Sequence, residues 1–213
     1  MTTTNPIAKA FATGTLSQRE TAYFAALGRM IAAYAAAEAS VHWLARHLSG
    51  LPEVKARAVF GGIRLRDLTD TIRQMMRIDK ILDGTLKDVD ACLVQLDTIA
   101  SQRGKLVHRM IIDRAGEEGL SVTNILTAKS IAAVERNTFS ISDLEHMTID
   151  CSVIYLRLTT IIARGIPEHA DPEINRVVHA PWRYKPSLPR TTPKRSAESG
   201  AAKGRYAKGA AIT

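Results

Sequence analysis

The chain has 213 residues, 46% of them hydrophobic, which suits one buried core with an appendage and leaves little room for two full domains. Its formal charge of +8 is unevenly spread: residues 1–180 hold 21 Lys or Arg against 20 Asp or Glu, whereas residues 181–213 hold eight bases and one acid. Two cysteines, Cys92 and Cys151, exclude a disulfide framework or a cysteine metal cluster, and no run approaches the roughly eighteen apolar residues of a membrane span.

Residues 1–16 mix Thr, Asn, Pro and Gly and read as a flexible arm. They carry no basic-then-apolar leader, so a soluble, cytoplasmic protein without a membrane partner is expected. Ser17-Gln-Arg-Glu20 is a capping box and opens a long helix. Its apolar line reads Leu27, Ile31, Tyr34, Glu38, Val41, Ala45, Leu48, which sets a carboxylate in a core-facing position. Such a carboxylate needs a partner: Arg103 on a neighbouring helix is one candidate, and His42, one turn along, is another.

Gly50 and Pro52 end this helix, Glu53 to Phe60 form a short one, and Gly61-Gly62 make a corner. Leu65, Leu68, Ile72, Met75 and Met76 line a third helix. Its arginines, Arg64, Arg66, Arg73 and Arg77, alternate with Asp67, Asp70 and Asp79 as a solvated face does. After the turn at Asp83-Gly-Thr85, Val89, Leu93, Leu96, Ala100, Arg103 and Val107 continue in threes and fours, so Arg103 is expected to face the bundle. His108 lies five positions further, roughly 140° round an ideal helix, so the two side chains meet only across a bend or across two chains. Gly104 makes a bend cheap.

Met110 to Asp113 and Ser121 to Ile125 are β-prone runs around a Gly-rich turn, with Ile131 to Val134 a further strand or helical turn, so a small hairpin-like insertion is expected. Ser142-Asp-Leu-Glu145 reads as a second capping box, opening a helix lined by Leu144, Met147, Cys151, Ile154, Tyr155, Leu158 and Ile162 that ends at Gly165. The Pro-rich, basic remainder reads as a disordered tail. Within it Pro181-Trp-Arg-Tyr-Lys-Pro186 interleaves aromatics with bases, making Trp182, Arg183, Tyr184 and Lys185 candidates to contact nucleic acid. Docking on the domain or on a partner protein is equally allowed.

The expected organisation is therefore an arm (1–16), a mainly α bundle of four to five helices (17–165) and a tail (166–213). The chemistry-bearing pair is Arg103 and His108: a guanidinium fork for phosphate, and the side chain that titrates nearest neutrality. Arg164 and His169 repeat the spacing but flank the helix-ending Gly165 and Pro167.

An arginine followed by a histidine after four to six residues, on a long helix of a small all-α protein, resembles the HEPN superfamily. Residues 20–163 are similar to bacterial HEPN-like proteins through Leu27-Gly28, Glu38, Gly62-Ile-Arg-Leu-Arg-Asp-Leu68, Ile99 to His108 and the capped final helix. The resemblance implies a HEPN-like bundle, a homodimer with facing motifs and, in active members, metal-independent RNA cleavage in toxin–antitoxin, phage-defence or RNA-processing systems. Neither cofactor nor metal is implied; RNA and a protein partner such as an antitoxin are. Carried onto this chain, His108 is the general base or acid and Arg103 stabilises phosphate charge. Glu38 and Gly104 support the pair, although active relatives usually carry Asn, Asp or His at the position of Gly104. Noncatalytic relatives bind RNA or proteins.

Overall fold

In the computed structural model, residues 16–81, 83–115, 119–163 and 176–186 are described. Five α-helices, α1 (Gln18–Ser49), α2 (Glu53–Phe60), α3 (Leu65–Ile78), α4 (Asp83–His108) and α5 (Ile141–Ile162), occupy most of them. Between α4 and α5 the chain forms β1 (Met110–Ala115), β2 (Gly119–Thr123), a single helical turn at Ile131–Ala133, and β3 (Arg136–Phe139). Residues 1–15 of the expected arm, the Arg164 and His169 pair, and residues 166–175 and 187–213 of the expected tail lie outside the described residues.

The longest helix opens where Ser17 accepts from the Glu20 N–H and Glu20 reaches back to the Ser17 N–H at 2.7 Å. It closes at Gly50, whose left-handed φ of 62° is one that glycine adopts without penalty. Its buried line is Tyr23, Ala26, Met30, Tyr34, Ala37, Val41, Leu44 and Ala45, about one residue out of phase with the line of larger side chains in the sequence. The alanines decide the phase, because a helix that buries small side chains lets a second backbone approach closely. Glu38, expected in the core, sits half-buried at the edge.

That second backbone is α5. Arg29 pairs with Glu145 and Trp43 meets Tyr155 edge-on, so α1 and α5 run parallel and pack along their length. α4 runs the other way beside α5, since Gln95 reaches Asp150 while Cys92 lies near Arg157. α3 docks on α1 and is tied to α4 by the pair of Arg73 with Asp90 at 2.7 Å, while Asp70, one turn back on α3 itself, meets the same guanidinium at 3.1 Å. Asp70 belongs to the alternating set on α3, whereas Asp90 does not, and the Arg73 side chain between them is largely buried rather than solvated. Both cysteines are buried among apolar side chains, which pushes the Cys92 thiol up to about 11 and the Cys151 thiol to about 12.

The insertion is a three-stranded antiparallel sheet rather than one hairpin, in the order β1-β2-β3. Leu120 pairs with Phe139, and Gly119 has φ 142° at a point where any Cβ would collide with the Phe139 carbonyl. Ile131 to Val134 proves to be a helical turn leading into β3. The strand end at Phe139 also fixes the helix cap: Ser140 and Asp143 form the capping box of α5, two residues before the expected Ser142 and Glu145. Both spacings satisfy the motif, and only Ser140 leaves the sheet in the extended conformation that a cap requires.

The expected disorder of the tail does not hold for residues 176–186, and of the readings open for Pro181 to Pro186 docking on the domain is the one observed, between α4 and α5. Asp150, 1% exposed, accepts from the main-chain N–H groups of Arg183 (2.9 Å) and Tyr184 (2.8 Å) and from the Gln95 side chain (2.8 Å). Gln95 also donates to the Tyr184 carbonyl, Arg157 donates to the carbonyls of Val178 and Ala180, and Trp182 lies 4.4 Å from the Arg157 guanidinium. Composition alone misses this because the segment buries only Val178 and Tyr184; matched polar groups supply the rest.

Replacing Asp150 by Ala strands two main-chain donors and the Gln95 amide. The expected cost is about 2 kcal/mol or more in urea denaturation, with fast amide exchange at residues 183 and 184. A stability within about 0.5 kcal/mol of the parent would show that water replaces the carboxylate at no cost.

Candidate functional site

α4 remains helical through Gly104 to His108, so no helix break brings Arg103 and His108 together within one chain. Arg103 is half-buried with its guanidinium 5.3 Å from the centre of the Tyr34 ring, a cation held on an aromatic face. His108, the last helical residue, is exposed on another side of the helix. The buried line turns from Ile99 to Leu106, leaving Val107, expected inside, 44% exposed.

The proposed Glu38 to Arg103 ion pair is not present within the chain. Both charges instead flank the Tyr34 phenol, which is pushed up to about 12: burial is the main cause, Glu38 adds to it and Arg103 opposes it. Arg103 Nε is buried, and among the described residues no acceptor faces it. Nor does any carboxylate among them form an ion pair with the guanidinium. A buried donor without an acceptor costs about 1–3 kcal/mol, so the arrangement favours an anion that enters from outside. A phosphate oxygen suits a fork backed by an aromatic ring.

The end of α4 is pinned to the sheet. Lys105 donates to the Asn137 side chain at 3.2 Å and Arg109 pairs with Glu135 at 2.7 Å. Exposed His108 and Arg136 share this end of the bundle, where α4 finishes and α5 begins, with the acidic Glu135 and Asp143. Gly104 faces open space: a Cβ built there meets nothing within 4 Å, so a polar side chain fits without rearrangement.

The aromatic–basic run is divided by its docking. Tyr184 is buried and Trp182 stacks on Arg157, so neither ring is presented for base stacking, while Arg183 and Lys185 face solvent. Sequence reading missed Asp150 and Gln95. The available signal was the same one that drew attention to Glu38, a polar residue interrupting an apolar line. The apolar line places Tyr34 in the core, but its role as a platform for Arg103 follows only from the helix pairing. Comparison of the chain with protein-family models, with curated proteins and with solved structures finds no match.

Because Glu38 is half-buried and unpaired with Arg103, Glu38→Ala is expected to change stability by less than about 1 kcal/mol in urea denaturation. Tyr34→Leu, which removes the platform and leaves Arg103 over a smaller apolar surface, costs more, about 1–2 kcal/mol. A loss of about 3 kcal/mol in Glu38→Ala would instead indicate a buried pair.

Proposed function

We propose that this chain is a cytoplasmic, HEPN-like RNA-associated protein that acts as a homodimer, with Arg103 as its phosphate-binding group. The observation that carries the reading is the half-buried Arg103 guanidinium, supported by Tyr34 and lacking an acceptor among the described residues. Among those residues no helix is long and apolar enough to cross a membrane, in keeping with a protein whose partners are RNA and other proteins, an antitoxin included.

In its catalytic form the reading is a metal-independent endoribonuclease of a toxin–antitoxin or phage-defence kind. Arg103 stabilises the charge that builds on the phosphorus oxygens. One His108 takes the proton of the ribose 2′-hydroxyl, that oxygen attacks phosphorus, and a second His108 protonates the departing 5′-oxygen, leaving a 2′,3′-cyclic phosphate. Since Arg103 and His108 diverge on one straight helix, the pair must be completed by the second protomer. The noncatalytic alternative, a binding dimer, is favoured by one specific feature: Gly104 supplies no polar group to orient the histidine.

Incubation of the purified protein with single-stranded RNA in EDTA separates the two. Catalysis predicts cyclic-phosphate ends and a loss of at least about a hundredfold in His108→Ala, with a comparable loss in Arg103→Lys, which keeps the charge but not the fork. Binding without cleavage in the parent, and cleavage gained in Gly104→Asn, would identify a site that has lost its chemistry. RNA neither bound nor cut by a dimeric parent contradicts the proposal.

A further inference from the structure

The last turns of α1 carry a group of side chains that the Arg103 site does not use. Trp43, Arg46, His47, Gly50, Leu51 and Glu53 line a cavity of about 450 Å³ where α1 gives way to α2. That volume falls within the range of small-ligand sites, about 300–1,000 Å³. Twelve residues of helix separate Arg46 from Tyr34, about 18 Å at 1.5 Å per residue, so this is a separate place on the same helix. One wall is the Trp43 indole, which meets the Tyr155 ring edge-on at 6.2 Å and is still 44% exposed. An indole steadied by a neighbouring ring and left open to solvent is a surface on which another flat ring can stack.

The charge comes from Arg46. Its Nε is buried without an acceptor among the described residues, and its Nη1 lies 3.5 Å from the Glu53 carboxylate, beyond an ordinary hydrogen bond. That carboxylate is already held by Arg57 at 2.7 Å, the bond that keeps Glu53 below the usual carboxylate range. Two arginines thus share one carboxylate, and exposed His47 stands beside them, which leaves the cavity with spare positive charge. Basic side chains in the last turn of a helix also offset its dipole, but that role requires neither a cavity nor an open indole. We propose that this cavity binds a single planar aromatic ring bearing an anionic group, the chemistry shared by a nucleoside monophosphate and an aromatic carboxylate. The ring lies on Trp43, and the anion competes with Glu53 for the Arg46 guanidinium, whose planar fork matches either oxyanion. The site does not depend on what Arg103 binds.

The Trp43 indole N–H resonance of the full chain labelled with 15N-tryptophan, assigned by its absence in Trp43→Phe, reports on this cavity and not on Arg103. Four probes are added in turn: adenosine 5′-monophosphate, indole-3-carboxylate, adenosine and inorganic phosphate. At least one of the first two is expected to shift the resonance saturably, with an affinity at least about tenfold tighter than adenosine or phosphate alone, since ring and anion are held together. Response to the nucleotide alone assigns a phosphate, response to indole-3-carboxylate alone assigns a carboxylate, and either upholds the proposal. Arg46→Met, which keeps the apolar stem and removes the charge, is expected to weaken the binding at least about tenfold. Glu53→Gln, an exposed change that removes the competing carboxylate, is expected to tighten it about threefold. A purely structural Arg46 predicts no such gain. No saturable shift from either ring-bearing anion up to about 10 mM overturns the site, and so does inorganic phosphate binding as tightly as both. Affinity unchanged in Arg46→Met overturns it as well; if that variant loses helical circular dichroism, a failure of Glu53→Gln to tighten binding does so in its place.

Discussion

The parallel pairing of α1 with α5 is the constraint from which the rest of the architecture follows. Ala26, Ala37 and Ala45 bring the two backbones close, and parallel neighbours must be joined by a long return path. The intervening elements supply it: α2 turns the corner, α3 and α4 fill the far side, and the sheet carries the chain back to the start of α5. Because α4 runs against α5, the last turns of α4, the β3 strand and the α5 cap all meet at one end. Lys105, Arg109 and Arg136 are brought to that end by topology rather than by local sequence. Tyr34 comes under Arg103 for the same reason, since the phase of α1 that buries its alanines also turns Tyr34 inward.

Electrostatic economy separates two kinds of polar group in this bundle. Asp150 and Gln95 are buried and fully engaged, each partner satisfying the other, which makes the docked segment part of the fold. Arg103 is treated differently. It is desolvated at Nε, rests on a ring and receives no acceptor from the described residues, and the proposed function assigns it to recognition on that ground.

Much of the helical architecture was legible in the sequence, because helix boundaries were written in local chemistry: Ser17 and Glu20, Gly50, Pro52, and the turn before Asp83. Phase was harder to read. In α1 the weight given to Leu27, Ile31 and Leu48 drew the line one residue away from the alanines that pack, and so carried Glu38 into a core it only borders. The same slip placed Val107 inside where Leu106 belongs. At the start of α5, two overlapping capping patterns were equal in sequence and were distinguished only by where β3 ends. The composition of 176–186 suggests disorder; what it omits is that Asp150, more than twenty residues away, supplies the partners. Arg103 was picked out by its spacing to His108, whereas its setting over Tyr34 depends on a tertiary contact that no local pattern records.

The proposed phosphate recognition depends on the state of one side chain, so the most direct measurement observes the Arg103 guanidinium itself. In the protein labelled with 15N-arginine, the Arg103 Nε–H resonance, assigned by its absence in Arg103→Lys, is followed while a short single-stranded oligoribonucleotide is added. A phosphate acceptor predicts a saturable shift and slowed exchange of that proton, competed by inorganic phosphate at higher concentration. An Arg103 resonance that stays fixed while those of Arg183 and other exposed arginines move would contradict it, leaving Arg103 a structural cation on Tyr34.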